Sequence, residues 1–556
     1  MTSKLTSLRS AKTVYDLASL LGFSPSSITF ILYNLPPATK YKTFSIAKRS
    51  GGTRLISAPE PRLKSLQRRL ADLLQECRDE INALPENKKS RSHGFERQRS
   101  ILTNANIHKR KRYVFNIDLE NFFPSFNFGR VRGFFIKNKK FQLEPKIATL
   151  IAQIAIHNNE LPQGSPCSPV ISNLVADALD RRLDRLARQN RCRYSRYADD
   201  ITFSARVRDF PADIAVPTGA NFDPSAVLQS IIASSGFAIN PNKTRMQYSM
   251  SRQIVTGLVV NEKPNIRKEY RRTLRAQVDS YAKTGSFTYV DSSGTPIPGR
   301  ARQLEGKISH ACAVKMHNAG PLNDSMRVGE IFKIARKFWL SHLFARRLKP
   351  VILCEGKTDN AYLRAALKSL ALQYPSMVDS SARNATFKVE FVNLNSLAAE
   401  VIGLGGTANL CKLIHNYDKE VLKFSRSRPL HPLIIVVDND SGAKGVFGKI
   451  KEATGKTVDI NTKEHFYRIK DNMYVVKVPE GRLNEERAIE HLFDPPVLNT
   501  PLHGKIFHPG DKNFDPTKHY GKEAFAQNVV RPQANTLNFR GFVPLLDRIE
   551  EVLKDY

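Results

Sequence analysis

The chain has 556 residues and carries 86 lysines and arginines against 52 aspartates and glutamates, a formal net charge of +34. That length allows three or four domains, and that charge calls for an anionic partner, of which nucleic acid is the commonest. The charge is unevenly spread: residues 350–556 are net +3, which leaves net +31 for residues 1–349, so regions with different electrostatic tasks meet near Lys349-Pro350. The six cysteines (Cys77, Cys167, Cys192, Cys312, Cys354, Cys411) contain no Cys-x-x-Cys pair, which argues against zinc and disulfides. Lys4, Arg9, Lys12 and Asp16 interrupt any apolar signal core, and no uncharged apolar run approaches the roughly 18–20 residues of a membrane span. A cytoplasmic protein with no membrane partner is expected.

In chain order, residues 11–34 show helical spacing of Val14, Leu17, Leu20, Leu21, Ile28, Ile31 and Leu32, broken at Ser24-Pro25. Residues 43–48 and 53–57 read as a hairpin with a glycine turn, placing Lys48 and Arg54 close across it. Leu63, Leu66, Leu70, Leu73 and Leu74 mark an amphipathic helix over 61–84. Basic stretches follow at 88–99 and 109–112. They read equally as solvated loops or as phosphate contacts. Asp118 leaves an apolar strand run that starts at Val114, and a helix is predicted over 172–186. Tyr197-Ala198-Asp199-Asp200 then sets two carboxylates at a hairpin turn. Plain solvated turn residues are the simpler reading. The repulsion of a paired turn is relieved if a divalent cation sits there, and carboxylates from two strands suit a two-metal phosphoryl-transfer site. Residues 265–347 read as helical and basic, interrupted by a loop at 291–296.

These residues together resemble a reverse transcriptase. Asp118 with Phe123 is similar to its motif A, the run 161–166 (Leu-Pro-Gln-Gly-Ser-Pro) to motif B, 197–200 to motif C, and 236–240 with Lys243 to motif D, in that order. Asn104-Ala105-Asn106-Ile107-His108 and Val255-Thr256-Gly257 resemble the Asn-Ala-x-x-His and Val-Thr-Gly elements of bacterial retron reverse transcriptases. The resemblance covers roughly residues 10–345 and implies an α/β multidomain right-hand polymerase with fingers, a ferredoxin-like palm and a helical thumb. It implies that Asp118, Asp199 and Asp200 are catalytic and bind Mg2+, that Lys48, Arg54, Phe123, Gln163 and Lys243 bind the incoming nucleotide, and that Asn104, His108, Val255, Thr256 and Gly257 bind RNA. Read alone, His108 fits equally a satisfied core histidine, Phe123 a core aromatic, and Lys243 a plain phosphate contact or the acid for leaving pyrophosphate.

After Lys349, the runs 351–354, 389–392, 433–437 and 474–478 alternate with helical or loop stretches, which argues for a parallel α/β sheet. Glu355 follows the first run and Asp438-Asn439-Asp440 the third, where such sheets hold ligands. Cys354-Glu355-Gly356-Lys357-Thr358-Asp359 and the Asp-x-Asp resemble a Rossmann-like TOPRIM domain, with Glu490 and Lys522 similar to later elements of the overcoming-lysogenization-defect type of nuclease. That resemblance implies catalytic and metal-binding roles for Glu355, Asp438 and Asp440, a further Mg2+, and a nucleic-acid substrate. A degenerate structural copy is the alternative, and Asp359 reads equally as a helix cap. The loop 403–407 is weak evidence for a phosphate site.

Three domains are therefore expected: fingers and palm over 1–262, thumb over 263–348, TOPRIM over 349–556. The function implied is a retron RNA-directed DNA polymerase that copies part of a structured non-coding RNA, both template and primer, into branched, RNA-linked single-stranded DNA, with a fused nuclease effector in antiphage defence. The competing readings are an RNA-binding scaffold that restrains the nuclease and a group II intron-like maturase. The sequence leaves a homo-oligomer open.

Overall fold

The apolar runs on either side of the carboxylates pair as strands. The structure is a computed structural model that describes residues 3–47, 52–84, 91–219, 221–291, 293–381, 385–424, 429–510 and 513–556. Lys48, the 88–90 part of the basic stretch and Ser292 of the expected loop lie outside the described residues. Contacts divide the chain into two compact units. The first comprises residues 1–268 with 290–295, the second 269–289 with 296–556.

In the first unit, β1 (Tyr41–Ala47) and β2 (Thr53–Pro59) form the expected hairpin, with Ile46 opposite Arg54. Helix α1 (Pro61–Ala83) starts with Pro61 in its first turn and the Glu60 carboxylate on the Leu63 amide. The five leucines of its apolar stripe are all buried, each stabilising the fold by about 1.5–3 kcal/mol. After α2 (Ile101–Ile107) comes β3 (Tyr113–Glu120), then α3 (Phe128–Lys137), α4 (Pro145–Ala155) and α5 (Ser168–Gln189). The last starts four residues before the predicted 172, since Pro169 fits a first helical turn. Strands β4 (Arg193–Tyr197) and β5 (Asp200–Ala205), helix α6 (Ala226–Ser234) and β6 (Ala238–Tyr248) complete a four-stranded antiparallel sheet in the order β4-β5-β3-β6. This is the β-α-β-β-α-β connectivity of a ferredoxin-like sheet. Strands β7 (Ile254–Val255) and β8 (Leu258–Val259) add a hairpin whose turn, Thr256-Gly257, has positive φ at both residues.

In the second unit, α7 (Lys268–Thr284), α8 (Ala301–Ala319) and α9 (Glu330–Leu340) form a helical layer that buries Trp339. The stretch predicted as a loop lies in the turn of a small hairpin, Thr288–Val290 with Pro296–Pro298.

The same unit contains β9 (Val351–Cys354), α10 (Asp359–Ser369), β10 (Glu390–Phe391), α11 (Leu397–Ile402), α12 (Thr407–Glu420), β11 (Leu433–Val437), α13 (Lys444–Thr454), β12 (Tyr467–Lys470), β13 (Met473–Lys477) and α14 (Val543–Asp555). The sheet order is β10-β9-β11-β13-β12. The first three pairings are parallel, and β9, β11 and β13 are buried along their whole length, as continuous apolar runs require. Two details depart from the sequence reading. The 389–392 run pairs only at Glu390 and Phe391, and an antiparallel edge strand, β12, precedes β13. Among the described residues no helix is long and apolar enough to cross a membrane.

The four-stranded sheet is tied to α5 by a fully buried ion pair. Arg196 Nε and Nη2 donate to the two carboxylate oxygens of Asp180, each at 2.7 Å, and the Tyr194 hydroxyl adds a bond of 2.6 Å. Removing one partner leaves a buried charge alone. Asp180→Ala should therefore lower the opening free energy of β4 and β5 by about 3–5 kcal/mol, read by native-state hydrogen exchange. Unchanged protection would show that the pair does not hold the sheet.

Candidate active sites

The strand register brings the first carboxylates together. Asp118 on β3 lies directly opposite Asp200 on β5, and Asp199 occupies the two-residue turn between β4 and β5. The Asp199 carbonyl accepts the Leu119 amide at 2.9 Å, which ties that turn to β3. Ala198 has φ of +57°, a backbone region disfavoured for a residue with a Cβ. Arg196 Nη1 holds its carbonyl at 2.9 Å. Gly94 packs so closely beneath the turn that a Cβ would sit 2.7 Å from the Ala198 nitrogen, so only glycine fits.

The electrostatics follow from this crowding. Burial, and then neighbouring Asp199, push the Asp200 carboxyl up to about 7. Burial and Asp118 raise Asp199. Cations oppose the rise. Lys243 Nζ lies 3.0 Å and 3.1 Å from the Asp118 oxygens, Arg245 acts on Asp200, and Arg54 acts on Asp199. Arg245 went unnoticed in the sequence. The irregular register of β6 between Asn240 and Arg245, which sets Arg245 opposite Asn116, hides it from any regular strand period.

The remaining nucleotide-site candidates surround this end of the sheet. Phe123 is half-buried, its ring 5.4 Å from Phe122 and 6.2 Å from Phe95. The Gln163 carbonyl accepts the Ser57 amide at 2.8 Å, and a Cβ on Gly164 would lie 2.6 Å from the Ser57 carbonyl oxygen, so the 161–166 turn is pressed against β2.

The candidate RNA-binding residues are arranged differently. Asn104 and His108, one helical turn apart on α2, are 1% and 0% exposed, so neither side chain reaches a ligand here. His108 bonds Ser204 and Ser195 at 2.7 Å each, and Ser195 donates to Asn104 at 2.6 Å. Burial pushes the His108 imidazole down to about 3, hence neutral. Val255 is also buried, while the Thr256 hydroxyl donates to the Ile101 carbonyl at the start of α2 and Gly257 is exposed. The two sequence elements thus meet on α2.

A second carboxylate cluster forms where β9 and β11 end. The Glu355 carboxylate accepts the Thr407 hydroxyl at 2.6 Å and the Asp438 amide at 3.4 Å. The Gly406 amide donates to the Glu355 carbonyl at 3.1 Å. The loop read as a weak phosphate cradle is therefore a clasp on Glu355. Asp359 accepts the Gly356 amide at 2.7 Å. Asp438 accepts the Ile489 amide at 2.9 Å, and Asp440 accepts the Gly442 and Ala443 amides, capping the turn that leads into α13. Lys522 Nζ reaches Glu490 at 3.0 Å.

Burial and Asp359 raise the Asp438 carboxyl to about 8, and burial and Glu490 raise Asp359 to about 6. Among the described residues no ready-made cluster of three metal donors is present. Both carboxylate sets nevertheless fit a divalent cation. Each is partly buried and mutually repelling, and in the second the buried Glu490 Oε1 has no hydrogen-bond partner.

The sign of the pH response follows. Asp200, Asp359 and Asp438 bind protons more tightly folded than unfolded. Their contribution to stability is full below about pH 4 and is lost as pH rises through about 6 to 8. The melting temperature of the metal-free protein should fall across that window, Mg2+ should restore it at the upper end, and Asp438→Asn should flatten the slope. A slope that ignored both Mg2+ and the substitution would contradict this electrostatic picture.

Known proteins share the first of these two regions. The family model for reverse transcriptase (RNA-dependent DNA polymerase) matches residues 46–282. The Retron Mx65 reverse transcriptase of Myxococcus xanthus is 35% identical over 290 residues, covering 49% of this chain and 64% of that protein. The Retron Mx162 reverse transcriptase of the same organism is 34% identical over 306 residues, covering 50% and 60%. The chain thus spans less than two thirds of either. The Retron Ec86 reverse transcriptase of Escherichia coli is 32% identical over 275 residues, covering 48% of this chain and 77% of that protein. Among solved structures, telomerase from Candida albicans in complex with a fragment of telomeric RNA aligns at 10% identity and a TM-score of 0.31 over 55% of this chain and 60% of that one. That likeness is too low to carry an argument. With three carboxylates gathered by the register of a ferredoxin-like sheet and about a third identity to a relative covered over 77% of its length, the chain belongs to the retron reverse transcriptase family.

Proposed function

We propose that the chain is an RNA-directed DNA polymerase that copies part of a structured non-coding RNA, serving as template and primer, into a branched, RNA-linked single-stranded DNA. The observation that carries this reading is the pairing of Asp118 opposite Asp200 with Asp199 in the intervening turn, ringed by Arg54, Lys243 and Arg245. A 2′-hydroxyl of the RNA attacks the α-phosphate of the first deoxynucleotide, and pyrophosphate leaves. Lys48 and Arg54 hold the triphosphate, Lys243 moves from Asp118 to the phosphates, and the Phe123 ring excludes a 2′-hydroxyl on the incoming sugar. Gln163 and Gly164 bring backbone close to template and nucleotide.

The reading extends to three domains: fingers and palm over 1–262, thumb over 263–348, and a TOPRIM nuclease over 349–556 that acts as an effector in antiphage defence. It is supported by Glu355 and Asp438 at the ends of neighbouring parallel strands, with Asp359, Glu490 and Lys522 close by. Lys522 is suited to neutralising a cleaved phosphodiester. Mg2+ held by Asp118, Asp199 and Asp200, and a further Mg2+ held by Glu355, Asp438 and Asp440, would polarise phosphate oxygens and activate the attacking oxygen.

Asp199→Asn with Asp200→Asn should bring Mg2+-dependent DNA synthesis to background while RNA binding stays intact. Wild-type extension by that variant would overturn the polymerase assignment. Phe123→Ala should cut the preference for deoxynucleotides over ribonucleotides by roughly one to two orders of magnitude, measured as a kcat/KM ratio. Glu355→Ala or Asp440→Ala should remove toxicity or protection in cells and leave DNA yield unchanged. A fall in DNA yield in those folded variants would show that the two sites are not independent.

A further inference from the structure

The palm sheet is polar at both ends. Strands β3, β4 and β5 bring Asp118, Asp199 and Asp200 to one end. At the other, Lys111 lies two residues before β3, Arg193 opens β4 and Arg206 follows β5. At a strand rise of about 3.4 Å, five or six residues separate the two ends by about 15–20 Å. The cationic end opens into a cleft of about 810 Å³, lined also by Asn106 and Lys109 at the end of α2 and by Arg91, Asp184 and Arg188.

The cations lining this cleft outnumber its acids. Its one lining aspartate, Asp184, is already shared between Arg91 and Arg188, each at 2.9 Å. Lys109, Arg193 and Arg206 are exposed. Lys111 is held below the usual lysine range by burial first and then by the like charges of Arg206 and Arg193. Such a concentration suits a ligand that presents several phosphates at once.

We propose that this cleft binds the sugar-phosphate backbone of a base-paired RNA segment, at a site separate from the carboxylate end of the sheet. The assignment of RNA rests on the reading of the partner given above. The cleft favours duplex over single strand because its two rings, Tyr194 and His93, are both buried, the Tyr194 hydroxyl on Asp180 and the His93 Nδ1 with the Thr103 hydroxyl, and offer no stacking face. The Asn106 amide supplies both a donor and an acceptor for a 2′-hydroxyl, the group that separates RNA from DNA.

The cleft also gives the 104–108 element a physical role. Its Asn104 and His108 are the buried fasteners, and the two positions that the pattern leaves free, Asn106 and Ile107, both line the cleft, Asn106 with a polar side chain. Asn104 and His108 are positioning residues, which fix α2 on Ser195 and Ser204 so that Asn106 and Lys109 face the ligand.

The test compares an RNA hairpin and a DNA hairpin of the same sequence, with binding measured against salt, on the full chain and on Lys111→Glu/Arg193→Glu/Arg206→Glu. RNA affinity should fall at least about tenfold, and the slope of log affinity against log salt should lose about 2–3 from three phosphate contacts. Extension of a pre-annealed primer at saturating template should be unchanged. Unaltered affinity and slope in the folded variant would overturn the proposal, and an equal loss for the DNA hairpin would overturn the assignment to RNA. If charge reversal disturbs folding, Arg193→Ser/Arg206→Ser, at two exposed positions, decides by the same slope. Should the wild-type chain extend no primer at all, the polymerase reading fails, while the hairpin comparison still judges the cleft.

Discussion

The first unit depends on the buried Arg196 guanidinium. Arg196 is the residue before Tyr197 on β4, and it donates four hydrogen bonds, two to Asp180 of α5, one to the Ala198 carbonyl and one to the Asn173 amide oxygen. Asn173 in turn bonds the Gly94 carbonyl, and Gly94 packs beneath the turn. The carboxylate turn is thus pinned from below through one planar cation. That rigidity matters because the turn carries both a left-handed alanine and two repelling aspartates. A loosely held hairpin would relax both strains, and with them the geometry a cation needs.

The same principle governs the cluster after Lys349 with different parts. The Thr407 hydroxyl and the backbone amides of Gly406, Gly356 and Ile489 hold Glu355, Asp359 and Asp438 from several chain segments. Carboxylates buried this closely cost free energy unless protonated or bound to a cation, so the raised values for Asp438 and Asp359 express stored electrostatic cost. The helical layer of this unit is fastened to the sheet layer by arginines. Arg336 binds the Ile402 carbonyl and Glu420, Arg327 the Glu400 carbonyl at 3.1 Å, and Arg347 Glu390 at 2.7 Å. Helix α11, which receives two of these, leads through Gly403 directly into the loop that clasps Glu355.

Charge follows a division of labour visible from the first reading. The net +31 of residues 1–349 is not spread as a uniform coat. Part of it balances the three carboxylates through Lys243, Arg245 and Arg54, part enters buried ion pairs such as Arg196 with Asp180, and part gathers at the far end of the four-stranded sheet. The near-neutral remainder of the chain sets Glu355, Asp359, Asp438, Asp440 and Glu490 around one sheet end, and pairs other acids with lysines and arginines, as Asp418 with Lys470 and Glu480 with Arg548.

The carboxylates, the glycine-hairpin, the leucine stripe of α1 and the parallel core strands were legible in the sequence because local rules govern them: strand period, turn chemistry, helical spacing and apolar runs. Where the sequence left alternatives open, the reason was distance along the chain. Nothing local distinguishes a histidine that touches RNA from one that bonds two serines about 90 residues away, and only the packing of α2 on β4 and β5 buried His108. The short pairing of β10 and the added edge strand β12 likewise depend on which neighbours the sheet supplies. The sequence by itself determined which residues could carry the chemistry. The tertiary structure decided which of them meet, because register and long-range packing, not residue type, set the distances over which charges repel, pair or await a ligand.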